Sequence, residues 1–389
     1  MAAAPAFLRG GFRPFFLAGA AWAIIALALW LTSLAGAVHL PSAFEPLAWH
    51  RHEMLFGFVG AVVVGFLLTA IPNWTGRLPI AGTPLAALTA LWLAARLAIL
   101  FSARVGAGLA AALDVGFYLV VAGLAAREVL AANNRNLPIV GLVLLFGIAS
   151  ALDHAANAGL IADQGLGWRP GIALVVLMIS LIGGRIIPSF TRNWLVKQGV
   201  KEGLPGQPIR FDMLVLAATA AALVAWVALP SNRIAGWLLC AAALLQAMRL
   251  ARWRGLGTTR DPLVLILHVG YAWVPAGLAL LGLSLLSTAV PGSAAIHALT
   301  AGAMATMILA VMTRATLGHT GRELRACPAT VMIYLFVTAG ALLRVIAPLG
   351  LVGYTVGMQI SALAWGAAFL LFLIVYGPLL LGPRPDGKP

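Results

Sequence analysis

The sequence predicts an all-α membrane protein of about twelve transmembrane helices, and three observations carry that expectation. Of 389 residues, 62% are hydrophobic and only 9% charged, which leaves too little polar surface to clothe a water-soluble chain of this size. Apolar stretches of about 20 residues or more recur from end to end, each able to span roughly 30 Å of hydrocarbon. The connections are short. The longest, from Phe190 to Phe211, holds about 20 residues, too few for a separate soluble domain.

The stretches run, with approximate edges, over 15–38, 53–72, 83–101, 105–126, 138–161, 171–190, 211–229, 233–252, 262–288, 294–315, 328–347 and 351–378. The first lies behind Arg9 and Arg13; it is too long for a cleavable signal and nothing after it resembles a cleavage site. The second opens in the polar group "WHRHE" and closes on "AIPNWTGR". The third and fourth are separated by a few residues around Arg104, and the fifth closes near Asp153 and His154. The sixth ends on "GGRIIPSFTRN"; the seventh and eighth hold no histidine; the ninth holds His268. The tenth runs from His297 towards Arg314, with His319 beyond it, and the last two follow Cys327 and Gly350. Together they predict one membrane domain over 1–389, with its helices within about 15–378.

A net charge of +14 invites a nucleic-acid reading, but the distribution of charge speaks against it. Threading twelve helices puts 19 of the 25 Lys and Arg on the side of the N-terminus and 6 opposite. The positive-inside rule then places both termini in the cytoplasm. The lipid bilayer is the expected partner, and no nucleic acid is. Cys240, within a helix, and Cys327, at the start of one, read as packed thiols without a disulfide.

Seven histidines divide by side. His39, His50, His52, His154 and His297 fall at or near outer helix ends; His268 and His319 lie towards the inner side. The 22 residues from His297 to His319 span about 33 Å along a helix, so the two cannot serve one centre. Imidazole suits iron, copper and zinc, and haem iron takes axial histidines from different helices. His50 and His52 point about 200° apart on a helix, so they face different centres unless one curls back from a loop. Glu53 is positioned to accept the ring proton of His52, to bind a metal or to relay protons. An outer metal centre of His50, His52 and His297, with His154, and an inner group of His268 and His319 with Arg185, Arg192 and Arg314 are the candidate sites. Guanidinium forks suit carboxylates such as haem propionates. Met304, Met307 and Met312 read as packing.

The inner ends of helices 2, 6 and 10 share proline or threonine followed by arginine: Pro72 and Pro188 are 116 residues apart, and Thr313 lies 125 further on. The spacing suggests three pseudo-symmetric arcs of four helices.

Five motifs carry a resemblance: "GGFRPFFL" at Gly10–Leu17, "WHRHEMLFGF" at Trp49–Phe58, "AIPNWTGRLP" at Ala70–Pro79, "GGRIIPSFTRN" at Gly183–Asn193 and "HALTAGAMATMILAVMTRATLGHTGR" at His297–Arg322. In this order, across about residues 8–378, they resemble the NnrS family. The resemblance implies a twelve-helix bacterial inner-membrane protein containing haem and copper and tied to nitric oxide and nitrosative stress. Twelve helices, the arcs and the H-x-H are also analogous to haem–copper oxidases, but helices 6 and 7 here hold no histidine for a copper site of that kind. With no C-x-x-C-H, a haem b would be held non-covalently. Reduction of nitric oxide to nitrous oxide and non-catalytic binding by a scavenger, carrier or sensor both follow from the resemblance. Carboxylates beside the outer histidines, Glu53 among them, favour the oxidoreductase. A transporter would leave the histidine clustering without a purpose, and no motif names the electron donor.

Overall fold

The computed structural model describes residues 5–134, 136–206 and 208–386, and among them every regular element is helical. Twelve helices are long and apolar enough to cross a membrane: α1 Phe12–Leu34, α2 Pro46–Thr75, α3 Thr83–Leu100, α4 Ala107–Ala131, α5 Leu137–Asn157, α6 Trp168–Lys197, α7 Arg210–Ala228, α8 Arg233–Ala251, α9 Pro262–Leu286, α10 Gly292–His319, α11 Pro328–Ile346 and α12 Tyr354–Leu381. All twelve expected spans are present. Their ends move where hydropathy is a poor guide. α2 starts at Pro46, well before the apolar run, because proline at the first turn nucleates a helix that then carries the polar Trp49–Glu53 group. α6 continues through Arg185 and Arg192 to Lys197, which shortens the connection to α7.

Two helices widen in mid-course. Glu53–Val59 in α2 and Ala298–Met304 in α10 are π-helical, each flanked by α-helix on both sides. Such segments carry one extra residue per turn and are frequent at functional sites. Each begins directly after a histidine.

Contacts gather the chain into two compact units. The first comprises Met1–Leu174, Thr316–Arg322 and Leu373–Pro389. Its centre is aromatic: Phe15, Phe16, Phe56, Phe117, Tyr118 and Phe146 are fully buried, with Phe56 and Phe146 ring centroids 4.9 Å apart. Arg13 closes this unit. Its guanidinium donates to the carbonyls of Leu380 (2.8 Å) and Gly382 (2.7 Å), satisfying main-chain acceptors that the end of α12 leaves open. The second unit comprises Val175–Ala315 and Glu323–Phe372. Within it Ala294, Ala298 and Val345 are buried beneath Trp273, Leu280 and Leu349. Exposed Leu109, Val224, Leu363 and Ile374 give helix faces suited to lipid, where apolar surface costs nothing.

The second unit also buries Arg249, near the end of α8. Its side chain is 1% exposed and donates to Asp212 at 2.8 Å, to the Ser180 carbonyl at 2.9 Å and to the Tyr271 hydroxyl at 3.1 Å. A buried guanidinium survives where every direction holds an acceptor.

Candidate metal centre

In the first unit α2, α4 and α5 bring His52, Asp114 and His154 together. Asp114 Oδ2 lies 3.1 Å from His52 Nε2 and 3.3 Å from His154 Nε2, and one ligand atom from each of the three residues lies within 4.8 Å of the others. His52 and Asp114 are fully buried and His154 is 5% exposed. Aromatic rings wall the group: Phe44 stands edge-on to both histidines at 5.2 and 5.3 Å, and Phe56 lies 4.9 Å from His52.

Surrounding groups hold the three in place. His52 Nδ1 meets Asp153 Oδ2 at 2.8 Å, the carboxylate–imidazole contact that orients metal-binding histidines. Ser150, one turn before His154 on the same face of α5, donates to Asp114 Oδ2 at 2.5 Å. Arg96 of α3 forks between carboxylates, bonding Asp114 with one amino group and Glu53 Oε1 at 2.9 Å with the other. Trp22 of α1 donates to Glu53 Oε2 at 2.5 Å. Arg51 lies 3.7 Å from both Asp153 and the half-exposed Asp163 and packs over Trp168.

Two imidazole nitrogens and a carboxylate oxygen suit copper, zinc or iron. Tetrahedral ligand atoms at the metal–nitrogen bond lengths of such sites stand about 3.3 Å apart, and the two histidine–aspartate separations already match that edge. The residues present fit a transition-metal ion. His154 Nδ1 is buried with no hydrogen-bond partner, which leaves a second ring nitrogen of the group uncommitted.

A family model, described as NnrS protein, matches residues 6–384. The chain belongs to the NnrS family. Among curated proteins none matches it. Membership of the NnrS family ties the chain to nitric oxide and to metal or haem binding, and the twelve spans make it a multi-pass membrane protein.

In this NnrS-family chain the expected site residues separate. His52 and His154 come together, as described. His50 turns away and stacks on Trp30 (4.9 Å, 18° between planes), as two residues of separation on a helix require. Glu53 accepts from Arg96 and Trp22 rather than from His52, whose two nitrogens face Asp114 and Asp153; one residue further round, Glu53 points towards α1 and α3. His297 belongs to the second unit, with Nδ1 donating to the Ser293 carbonyl at 2.7 Å and Nε2 accepting from Arg344 at 3.1 Å.

The inner candidates divide as well. In the second unit Arg314 lies over the Phe190 ring at 4.0 Å, and Phe190 stands on α6 between Arg185 and Arg192, whose side chains are exposed. Next to it Thr191 meets His268 Nε2 at 2.8 Å. The arginines suit an anionic group. His268 suits a haem axis less well: Nε2 is engaged, and unpartnered Nδ1 faces Gly255 so closely that a Cβ there would stand 2.6 Å away. A macrocycle plane does not fit against that backbone. His319 belongs to the first unit, exposed, with its ring 5.4 Å from Phe12.

Asp114 and Arg96 are the members of the candidate site that sequence reasoning missed. Their signal was present: each is a lone ionisable residue inside a long apolar run, costly to bury without a partner.

Proposed function

We propose that this chain consumes nitric oxide in the bacterial inner membrane, reducing it to nitrous oxide as protection against nitrosative stress. A copper ion would be held by His52, Asp114 and His154, and a non-covalent haem b, anchored by its propionates at Arg185, Arg192 and Arg314 and not ligated by His268, would supply the second redox group. Two nitric oxide molecules, two electrons and two protons give one nitrous oxide and one water. The observation supporting this reading is the buried His52–Asp114–His154 group with the further carboxylates Glu53 and Asp153 beside it.

A bound copper ion would supply electron transfer and Lewis acidity. The chain's own residues supply the rest. Asp153 at His52 Nδ1 fixes the ring so that Nε2 faces the ion site, and Ser150 and Arg96 fix Asp114. Phe44 and Phe56 exclude water from the imidazoles. Asp163, Arg51 and Asp153 form a polar line from a half-exposed carboxylate to the buried His52, with Asp153 as the carboxylate that takes up and passes protons at His52 Nδ1 and Arg51 holding it in place. Glu53, held by Arg96 and Trp22, is the carboxylate assigned to proton relay within the site. Nitric oxide, being apolar, arrives through lipid. The twelve helices act as one membrane domain with both termini cytoplasmic.

Purified protein in lipid nanodiscs, given an artificial reductant, should show sustained uptake at a nitric oxide electrode and nitrous oxide by gas chromatography. His52→Ala and His154→Ala should each lower bound copper at least tenfold and stop turnover. Uptake that ends when the metal sites are filled, with no nitrous oxide, moves the function to scavenger, carrier or sensor. Full copper content in both variants overturns the metal assignment.

A further inference from the structure

The second unit contains a counterpart of the metal centre in which the acidic groups have been replaced. The same offset, 245 residues, separates His52 from His297, Gly57 from Gly302, the two π-helical segments Glu53–Val59 and Ala298–Met304, and Thr75-Gly76-Arg77 from Thr320-Gly321-Arg322. Gly76 and Gly321 even share the left-handed backbone that ends or follows the helix, at φ 69° and 71°.

The neighbours correspond too. A Cβ on Gly57 would come within 3 Å of Trp22 of α1 and Arg96 of α3, while one on Gly302 would strike Trp273 of α9. In each unit a tryptophan from the preceding helix therefore packs on the glycine of the π-helical segment. α3 sends Arg96 to the first site; α11 sends Arg344 to the second, where it donates to His297 Nε2 at 3.1 Å. α4 places Asp114 on the first guanidinium; α12 places Met358 on the second, with Sδ 3.3 Å from Arg344. The residue after the histidine is Glu53 in one and Ala298 in the other.

The substitutions change the electrostatics in one direction. Arg96 bonds two carboxylates, whereas among the described residues Arg344 has none within ion-pair distance. Its two acceptors among the described residues, an imidazole nitrogen and a thioether sulfur, are neutral, and sulfur is a weak acceptor. The C-terminal end of α11 offsets roughly half a charge. The N-terminal ends of α10 and α12, which lead into His297 and Met358, carry the opposite sign and attract anions. A half-buried guanidinium so placed lacks a counter-ion, and its planar fork matches two oxygens of one ligand.

We propose that His297, Arg344 and Met358 form an anion-binding site, with Arg344 as the principal donor and a small planar oxyanion such as nitrite or a carboxylate as the ligand. The site is separate from the proposed chemistry at His52 and stands whether or not that chemistry occurs.

Isothermal titration of the full chain in nanodiscs with sodium nitrite and with sodium formate, at low chloride, tests the site. Wild-type protein should bind with saturation and gain thermal stability on binding. Arg344→Gln should weaken binding at least tenfold. Met358→Asp keeps the arginine but restores an acidic partner like that of Arg96, so it should also lose at least tenfold and no longer be stabilised by nitrite. A wild-type protein that takes up nitrite only after release of a co-purifying carboxylate or phosphate compound, absent from Met358→Asp, identifies a tethered anion at the same site. No saturable binding and no such compound in the wild type, or undiminished binding by Met358→Asp, overturns the proposal.

Discussion

At the scale of single residues, the buried charges around His52 depend on one another. Asp114 accepts from Ser150 and Arg96 and lies beside Nε2 of both His52 and His154, all of them buried. Asp114→Ala leaves Arg96 with Glu53 as its one remaining carboxylate, and removal of one partner from a buried charge pair costs up to about 3–5 kcal/mol; thermal denaturation should show a loss with or without metal. Asp153→Asn is milder, since an amide oxygen still meets His52 Nδ1. It should lower metal affinity about 10–100-fold while leaving the fold in place, read by competition with a chelator. Cys327 gives a pH-dependent case outside the spans. Partial burial works to raise its pKa, but hydrogen bonds from the Thr330 hydroxyl and from the backbone of Thr330, Ala329 and Cys327 outweigh it, and the thiol lies below its ordinary value. The thiolate therefore appears at lower pH than in a free cysteine. The rate of alkylation by iodoacetamide against pH should reach its midpoint below that of a model thiol, and Thr330→Ala should move the midpoint upwards. The packed thiol expected there is in fact exposed.

At the scale of elements, the histidines were legible in sequence and their partners were not. His52 and His154 stand at polar helix ends, where ionisable residues draw notice. In the sequence Arg96 counts only as one of the 25 basic residues assigned to a side and Asp114 draws no reading at all, and the contacts that explain them reach 43 residues to Glu53 and 62 residues to His52. No local pattern encodes such a pairing. The π-helical segment was equally hidden: hydropathy cannot register one extra residue in a turn, although that residue decides which way His52 and Glu53 face. Deleting Met54 should restore α-helical winding and turn the residues before it by about 100° relative to those after it. The expected result is a folded, helical protein, by circular dichroism, that has lost the bound metal. Retention of metal would show that the wide turn does not aim His52.

At the scale of the whole molecule, twelve spans followed from composition alone, because a helix in lipid must satisfy its backbone internally and the apolar lengths then count themselves. The inner helix ends suggest arcs of four helices, and the 245-residue offset relates a second set of positions, in α1–α4 and α9–α12 around His52 and His297. Sidedness rests on charge. Cys327 follows Arg322 and Arg325 in the connection that the positive-inside rule assigns to the cytoplasm. A membrane-impermeant maleimide should label Cys327 in inverted vesicles and not in right-side-out ones; the reverse pattern would invert the assigned topology.

The hold of Arg13 on the carbonyls of Leu380 and Gly382 has a consequence for biosynthesis. The bonded residues stand 367 and 369 positions apart in a chain made from the N-terminus onward. At usual translation speeds, about 5–20 residues per second, α1 enters the bilayer some tens of seconds before its acceptors exist. The first unit is begun by the earliest helix and finished by the last, so it cannot mature as an N-terminal half while the second unit is still on the ribosome. During that interval a buried guanidinium waits without its carbonyls, open to lipid phosphates or an insertion chaperone. A nascent chain stalled before Leu380 should therefore be recognisable to the cell's quality control by its first helix rather than by its last.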